Sequence, residues 1–188
     1  MKLLALDLAK NTGYCWAEDS GQPLVMQVRL PGNGAILEVR TFIRILDSGT
    51  LSFGDIETQE AEGGWLLRTY YRLTDFLKAH PADLVVLEFP RWLRGASAST
   101  RGITTTFGLR AAFLMAAADC ELSAKLVQID PRKWQDPIIG RGKRVGQKAK
   151  SLAAATARLG LVTKDDNESD AALIADYALT CLRVRGEI

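Results

Sequence analysis

Long apolar runs are missing from this chain. No stretch of eighteen or more hydrophobic residues occurs, so nothing in it has the length of a membrane-spanning helix. The amino terminus goes directly into a strand-like pattern without the architecture of a secretory leader, and the expectation is a cytoplasmic protein. Cysteine is scarce as well. Cys15, Cys120 and Cys181 are odd in number, widely spaced and set among apolar neighbours, which suits reduced core thiols and argues against a disulfide framework or a zinc site. The single histidine, His80, stands beside Pro81 at the end of a helical pattern, where surface capping is the expected role. Any metal here has to be held by oxygen.

What is present suits one domain over 1–188: 188 residues, 47% of them hydrophobic, can bury a core without disulfide or metal staples. The net charge of +2 conceals an uneven distribution. Residues 89–150 hold twelve Lys and Arg against four acids, a balance of +8, while the remainder sums to −6. A basic block beside an acidic remainder points to a polyanion, with nucleic acid the natural partner. A solvated helix face is the other reading that charge alone allows.

The stretch that organises the chain is Leu3-Leu4-Ala5-Leu6-Asp7, an apolar run suited to a strand buried on both faces and ending in a carboxylate. A buried carboxylate needs cations or donors around it, so Asp7 either caps a turn or belongs to a site. Thr12-Gly13 is read as a tight connection, 14–17 as a second strand, 18–22 as a turn and 24–30 as a further strand before the Pro31-Gly32-Asn33-Gly34 break. Residues 35–46 fit two periods and lean to strand on their β-branched content; 48–53 closes the antiparallel set. Leu66, Tyr70, Leu73 and Leu77 mark a helix over 64–79.

The run 83–88 repeats the opening design and ends in Glu88. Residues 89–106 are read as a loop in which Phe89 and Trp92 alternate with Arg91, Arg94 and Arg101, a mixture suited to stacking on bases and gripping phosphates, or to packing under the loop. A buried helix over 108–119, a strand over 125–129 and the turn Asp130-Pro131-Arg132-Lys133-Trp134 follow. Arg141, Lys143 and Arg144 make a basic segment before a helix over 147–159, stopped by Gly160. An acidic cluster from Asp165 to Asp170 then opens a helix running to about 182. Asp165 and Glu168 have capping-box spacing, whereas Asp170 is followed by a small apolar face and is expected to point at the sheet, with Asp166 on the same face.

Two strand-end carboxylates and one or two more at a helix start form a hard-oxygen set that suits Mg²⁺ or Mn²⁺. Two such ions can activate water and stabilise the leaving oxygen in phosphodiester displacement.

The sequence resembles the RuvC-type Holliday-junction resolvases of the ribonuclease H-like superfamily, above all the compact phage and bacterial versions. The resemblance is carried by the segment from Leu6 to Tyr14, by Val85-Val86-Leu87-Glu88, by Asp130-Pro131-Arg132-Lys133-Trp134 with the Gly-Arg-Gly-Lys segment after it, and by the segment from Asp166 to Leu173. It implies an α/β, ribonuclease H-like fold with a mixed five-stranded sheet flanked by helices, a homodimer, and Mg²⁺- or Mn²⁺-dependent nicking of branched DNA. It places metal ligands at Asp7, Glu88 and Asp170, with a fourth acid nearby. Contacts to DNA are expected from Arg91, Trp92, Arg94, Arg101, Arg132, Lys133, Arg141, Lys143, Arg144 and Lys148. Two positions depart from the family pattern. Three residues before the last acid stands Asn167, so the fourth ligand is Asp166, Asn167 or Asp165, with Asp166 favoured; and Arg91 replaces the aromatic wedge expected three residues after the second acid. A sugar-kinase-like fold needs a second lobe that 188 residues cannot supply. A binding or scaffold protein that kept the fold and lost cleavage is the competing class.

Overall fold

The structure, a computed structural model, describes residues 1–9, 11–30, 34–54, 62–88, 100–121, 125–140 and 146–185, and of residues 100–104 and 185 the backbone only. The strands are β1 (Lys2–Asp7), β2 (Asn11–Arg29), β3 (Ile36–Ser52), β4 (Leu84–Glu88) and β5 (Lys125–Ile129). The helices are α1 (Glu62–Ala79), α2 (Thr100–Asp119), α3 (Pro131–Ile138), α4 (Gln147–Leu159) and α5 (Asp166–Arg185). One mixed sheet has the order β3-β2-β1-β4-β5. Its β1–β2 and β2–β3 pairs are antiparallel, and β1–β4 and β4–β5 are parallel.

Alternation along β1 and β4 divides the core in two. Leu4, Leu6, Val85 and Leu87 face α1 and α2 and pack with Trp65, Leu73, Phe76, Leu109 and Phe113. Leu3, Ala5, Leu84 and Val86 face the other way, onto α5 and Trp134. Both faces of the central strands are covered, which explains why they read as unbroken apolar runs. Each fully buried leucine contributes roughly 1.5–3 kcal/mol through burial. Helix α5 lies deepest: Ala171, Ala172, Leu173, Ile174 and Ala175 are all shut off from solvent.

Four expectations change. The turn expected at 18–22 is an irregularity inside a continuous β2, whose pairing slips between Asp19 and Leu24, while Ser20 Oγ donates to the Phe42 carbonyl at 2.8 Å. The strands expected at 35–46 and 48–53 are one β3. The long β2–β3 ribbon runs out over α4, with Met26 and Val28 beside Gly160, where a Cβ would meet the Val28 side chain at 2.8 Å. The polar residues in 18–22 that suggested a turn are accommodated as the irregularity in β2, and the strand continues past it. The loop expected over 89–106 is α2 from Thr100 onward, and 89–99 lie outside the described residues. His80 does cap α1, its Nδ1 lying 2.9 Å from the Phe76 carbonyl. It is turned inward, against the rings of Phe76, Trp16 and Tyr14, rather than out to the surface. Among the described residues no helix is long and apolar enough to cross a membrane.

Candidate active site

Asp7 and Glu88 end adjacent parallel strands, one step past the last registered pair, Leu6 and Leu87. Neighbouring strands lie about 4.8 Å apart, and two residues at the same level of parallel strands share a face. Alternation puts both acids on the α5 side, with Leu3, Ala5, Leu84 and Val86. Asp7 is half-buried there. Burial first, then the charges of Asp170 and Asp166, push its pKa up to about 7.

The amino-terminal turns of α5 bring the remaining acids. Asp165 caps the helix: its Oδ1 accepts from the Asn167 backbone N–H at 2.9 Å and its Oδ2 from Thr50 Oγ1 at 2.6 Å. Burial alone would raise its pKa, but the donors from Thr50 and Asn167 prevail and hold it below the ordinary carboxylate value. Glu168 does not reach back to close a capping box. Its oxygens accept from Ser48 at 2.7 Å and Thr163 at 2.6 Å, pinning the helix start to β3. This start lies so close to β2 that a Cβ on Gly13 would stand 1.8 Å from the Asn167 carbonyl oxygen. Gly13 belongs to β2 rather than to a turn; it is needed for this approach.

With Asp165 and Glu168 occupied as anchors, Asp166 and Asp170 are left one helical turn apart. They line a cleft of about 420 Å³ together with Asp7 and Asn167. Helix α4 closes one side with Lys148 and Ser151. Ser151, itself buried, donates from Oγ to Asp170 Oδ1 and lies 3.1 Å from Ser169 Oγ. Lys148 Nζ pairs with Asp166 Oδ2 at 2.8 Å. Glu88 stands beside this cleft rather than among its lining residues. Its Oε2 accepts from Trp134 Nε1 at 2.7 Å, and the carboxylate also borders a narrow crevice with Thr106, Arg110 and Gln128.

The Asp130-Pro131-Arg132-Lys133-Trp134 segment is thereby explained residue by residue. Asp130 caps α3 by accepting from the Arg132 N–H at 2.8 Å, and Pro131 occupies the first turn, where no N–H is needed. Trp134 is buried and holds Glu88, while Arg132 and Lys133 are exposed. Arg91, Trp92, Arg94, Arg141, Lys143 and Arg144 lie outside the described residues, as does the side chain of Arg101. Sequence reasoning missed Trp134 and Ser151 as partners of the acids. The signal available for Ser151 was a small polar residue on the apolar face of α4, four positions before Ala155 and eight before Leu159.

No protein-family model matches the chain, and no curated protein sequence does either. Solved structures do match. Thermus thermophilus RuvC in complex with a Holliday junction substrate superimposes with a TM-score of 0.67 at 14% identity, covering 98% of this chain and 97% of that one. A second T. thermophilus RuvC structure gives 0.64 at 17% identity, covering 97% and 96%. The yeast mitochondrial Holliday junction resolvase Ydc2 gives 0.59 at 15% identity, covering 98% and 81%. The fold is RuvC-like. Its mixed five-stranded sheet with flanking helices is the one that the resemblance to this family implies.

The donors of this cleft fit a divalent cation in chemistry: every acidic group is a hard oxygen ligand, and Asn167 adds an amide. The pKa of Asp7 is raised first by withdrawal from water and then by the charges of Asp170 and Asp166, and a cation would relieve the second of these. Among the described residues, no three Asp, Glu, His or Cys side chains converge into a ready cage. Instead, donors from the protein itself hold Glu88 through Trp134, Asp170 through Ser151 and Asp166 through Lys148.

Proposed function

We propose that this protein is a divalent-metal-dependent endonuclease that nicks branched DNA, with Holliday junctions as its substrate. The observation that carries the reading is the meeting of Asp7, Asp166 and Asp170 in one cleft at the end of the parallel strands, with Glu88 on the neighbouring strand. Known resolvases with this fold support it. Asp7, Glu88, Asp166 and Asp170 are the groups that would hold Mg²⁺ or Mn²⁺, two ions to a site. Bound there, the metal supplies an activated water and charge stabilisation for the leaving oxygen.

The chain's own groups position the reaction. Ser151 fixes the carboxylate of Asp170, and Trp134 fixes that of Glu88, so the ligand oxygens keep their aim without solvent. Asp7, half-buried and facing the charges of Asp170 and Asp166, is the group whose ionised form a cation would favour most. Arg132 and Lys133 on the exposed side of α3, with Arg91, Trp92, Arg94, Arg101, Arg141, Lys143, Arg144 and Lys148, form the DNA-binding set. Phosphate contacts of this kind orient a duplex and carry no sequence information themselves.

Cleavage of labelled four-way junction, fork and linear duplex, with Mg²⁺, Mn²⁺ or EDTA, tests the reading beside Asp7→Asn. The expected result is paired nicks in the junction, lost with EDTA and in the mutant, while junction binding persists. Cutting of forks or duplex as well would keep the chemistry and change the substrate. Asn167, at the position where the family usually places Asp or His, favours one second reading, a junction-binding scaffold without cleavage; tight binding without nicks under either metal would select it.

A further inference from the structure

Lys148 is placed where helix electrostatics disfavours it. It is the second residue of α4, a helix with no acid in its first turn and no side-chain cap at Gly146. A cation at a helix amino terminus meets the positive end of the macrodipole, so the local structure gives no reason for a lysine here. Its attraction lies across the cleft: the ammonium is 2.8 Å from Asp166 Oδ2, and Asp170 and Asp165 also act on it electrostatically. Among the described residues that line the cleft, Lys148 is the only cationic one.

The side chain of Lys148 is 79% exposed, that of Asp166 27%. A pair as open as this is worth at most about 1 kcal/mol, because water and salt screen it and a long side chain must be ordered to make it. An ion of double charge has a stronger claim on the same oxygen. Lysine's four-carbon stem lets the ammonium leave without moving α4. Asp170 differs: Ser151, which donates to it, is buried and neutral, so it brings no competing positive charge to the cleft.

We propose that Lys148 is a displaceable resident cation: it occupies Asp166 while the cleft is metal-free, yields that oxygen to a divalent ion, and is thereby released towards a phosphate of the bound DNA. This rests on the nuclease reading above and adds to it an exchange at one oxygen. It also gives Asp166 and Asn167 different parts. Asp166 is the exchanging ligand, whereas the Asn167 amide nitrogen is held by Asp165 Oδ1 at 3.2 Å.

The test is calorimetric titration of Mn²⁺ into the DNA-free protein, where no cleavage intervenes. Lys148→Gln should tighten Mn²⁺ binding about threefold or more, by removing a competitor and a like charge. Lys148→Arg should stay near the wild-type affinity, and Asp166→Asn should weaken binding about tenfold or more. In the Asp166→Asn background, Lys148→Gln should have little further effect. In the unsubstituted protein, saturating Mg²⁺ should speed labelling of the Lys148 amine, measured by mass spectrometry. Unchanged or weaker Mn²⁺ binding in Lys148→Gln, or labelling indifferent to Mg²⁺, would overturn the exchange. Failure of the nuclease reading looks different: the wild type then binds no Mn²⁺, or Asp7→Asn binds it as well as the wild type does.

Discussion

Asp7 shows how a single residue links site chemistry to stability. Its half-buried carboxyl is withdrawn from bulk water and faces two further carboxylates, so its folded-state pKa is raised above the value of about 3.9 for an unfolded chain, up to about 7. The sign follows directly. Below the unfolded pKa the group is protonated in both states and costs nothing; as pH rises towards the folded pKa, the unfolded state ionises more readily and stability is lost. The loss cannot exceed about 1.4 kcal/mol per pH unit from this one group. Asp7→Asn should therefore raise the melting temperature of the metal-free protein, by a margin that grows from pH 5 to pH 7 and then levels off. Excess Mg²⁺ should stabilise the wild type and leave the mutant nearly unmoved. Thermal unfolding across that pH range, with and without metal, measures both. An equal margin at every pH would mean that Asp7 is ionised throughout, with its charge compensated in the folded protein. Asp165, with its lowered pKa, contributes the opposite slope only below about pH 4, outside the range in which Asp7 is read.

At the scale of elements, the position of α5 decides whether the acids meet, and Gly13 decides the position of α5. A methyl group there would overlap the Asn167 carbonyl oxygen, a backbone atom that cannot rotate away. Gly13→Ala is expected to cost about 2–3 kcal/mol in chemical denaturation, as overpacking does when nothing flexible yields. It should also weaken Mn²⁺ binding, because the displaced turn carries Asp166 and Asp170. Stability lost with metal affinity unchanged would separate the approach of α5 from the site. The sequence showed that Gly13 mattered but suggested turn conformation as the cause, since a glycine after threonine reads as a bend; its real constraint comes from residues more than 150 positions away. The same limit applies elsewhere. Strand-end Asp7 and Glu88 and the helical Asp166 and Asp170 were legible because burial and period are local signals. Local signals also set the bounds of α4, at 147 and 159. The Trp134 bond to Glu88 and the Ser151 bond to Asp170 were not legible, because each joins elements whose packing no single window encodes.

At the scale of the whole molecule, the sheet face opposite the acids raises the question of a second copy. Helices α1 and α2 cover that face and leave Leu67, Tyr71, Phe107, Leu114 and Met115 between 40% and 59% exposed on their outer side. Scattered apolar residues on a surface are ordinary, but large ones concentrated on two adjoining helices suit an interface. A four-way junction has twofold symmetry, and paired nicks need two active sites, so the proposed function itself asks for a dimer. A closed twofold contact through this face would place both clefts on the opposite side of each protomer, free to face DNA. Leu67→Glu combined with Met115→Glu should convert the dimer to a monomer in light scattering while leaving the melting temperature of the protomer close to its starting value, because neither side chain belongs to the core. The monomer should retain its clefts and its Mn²⁺ binding yet lose the pairing of the two nicks, since each strand would then be cut by an independent encounter. A dimer that survives both substitutions would move the interface to another surface, and a monomeric wild type would leave paired nicking to assembly on the DNA itself.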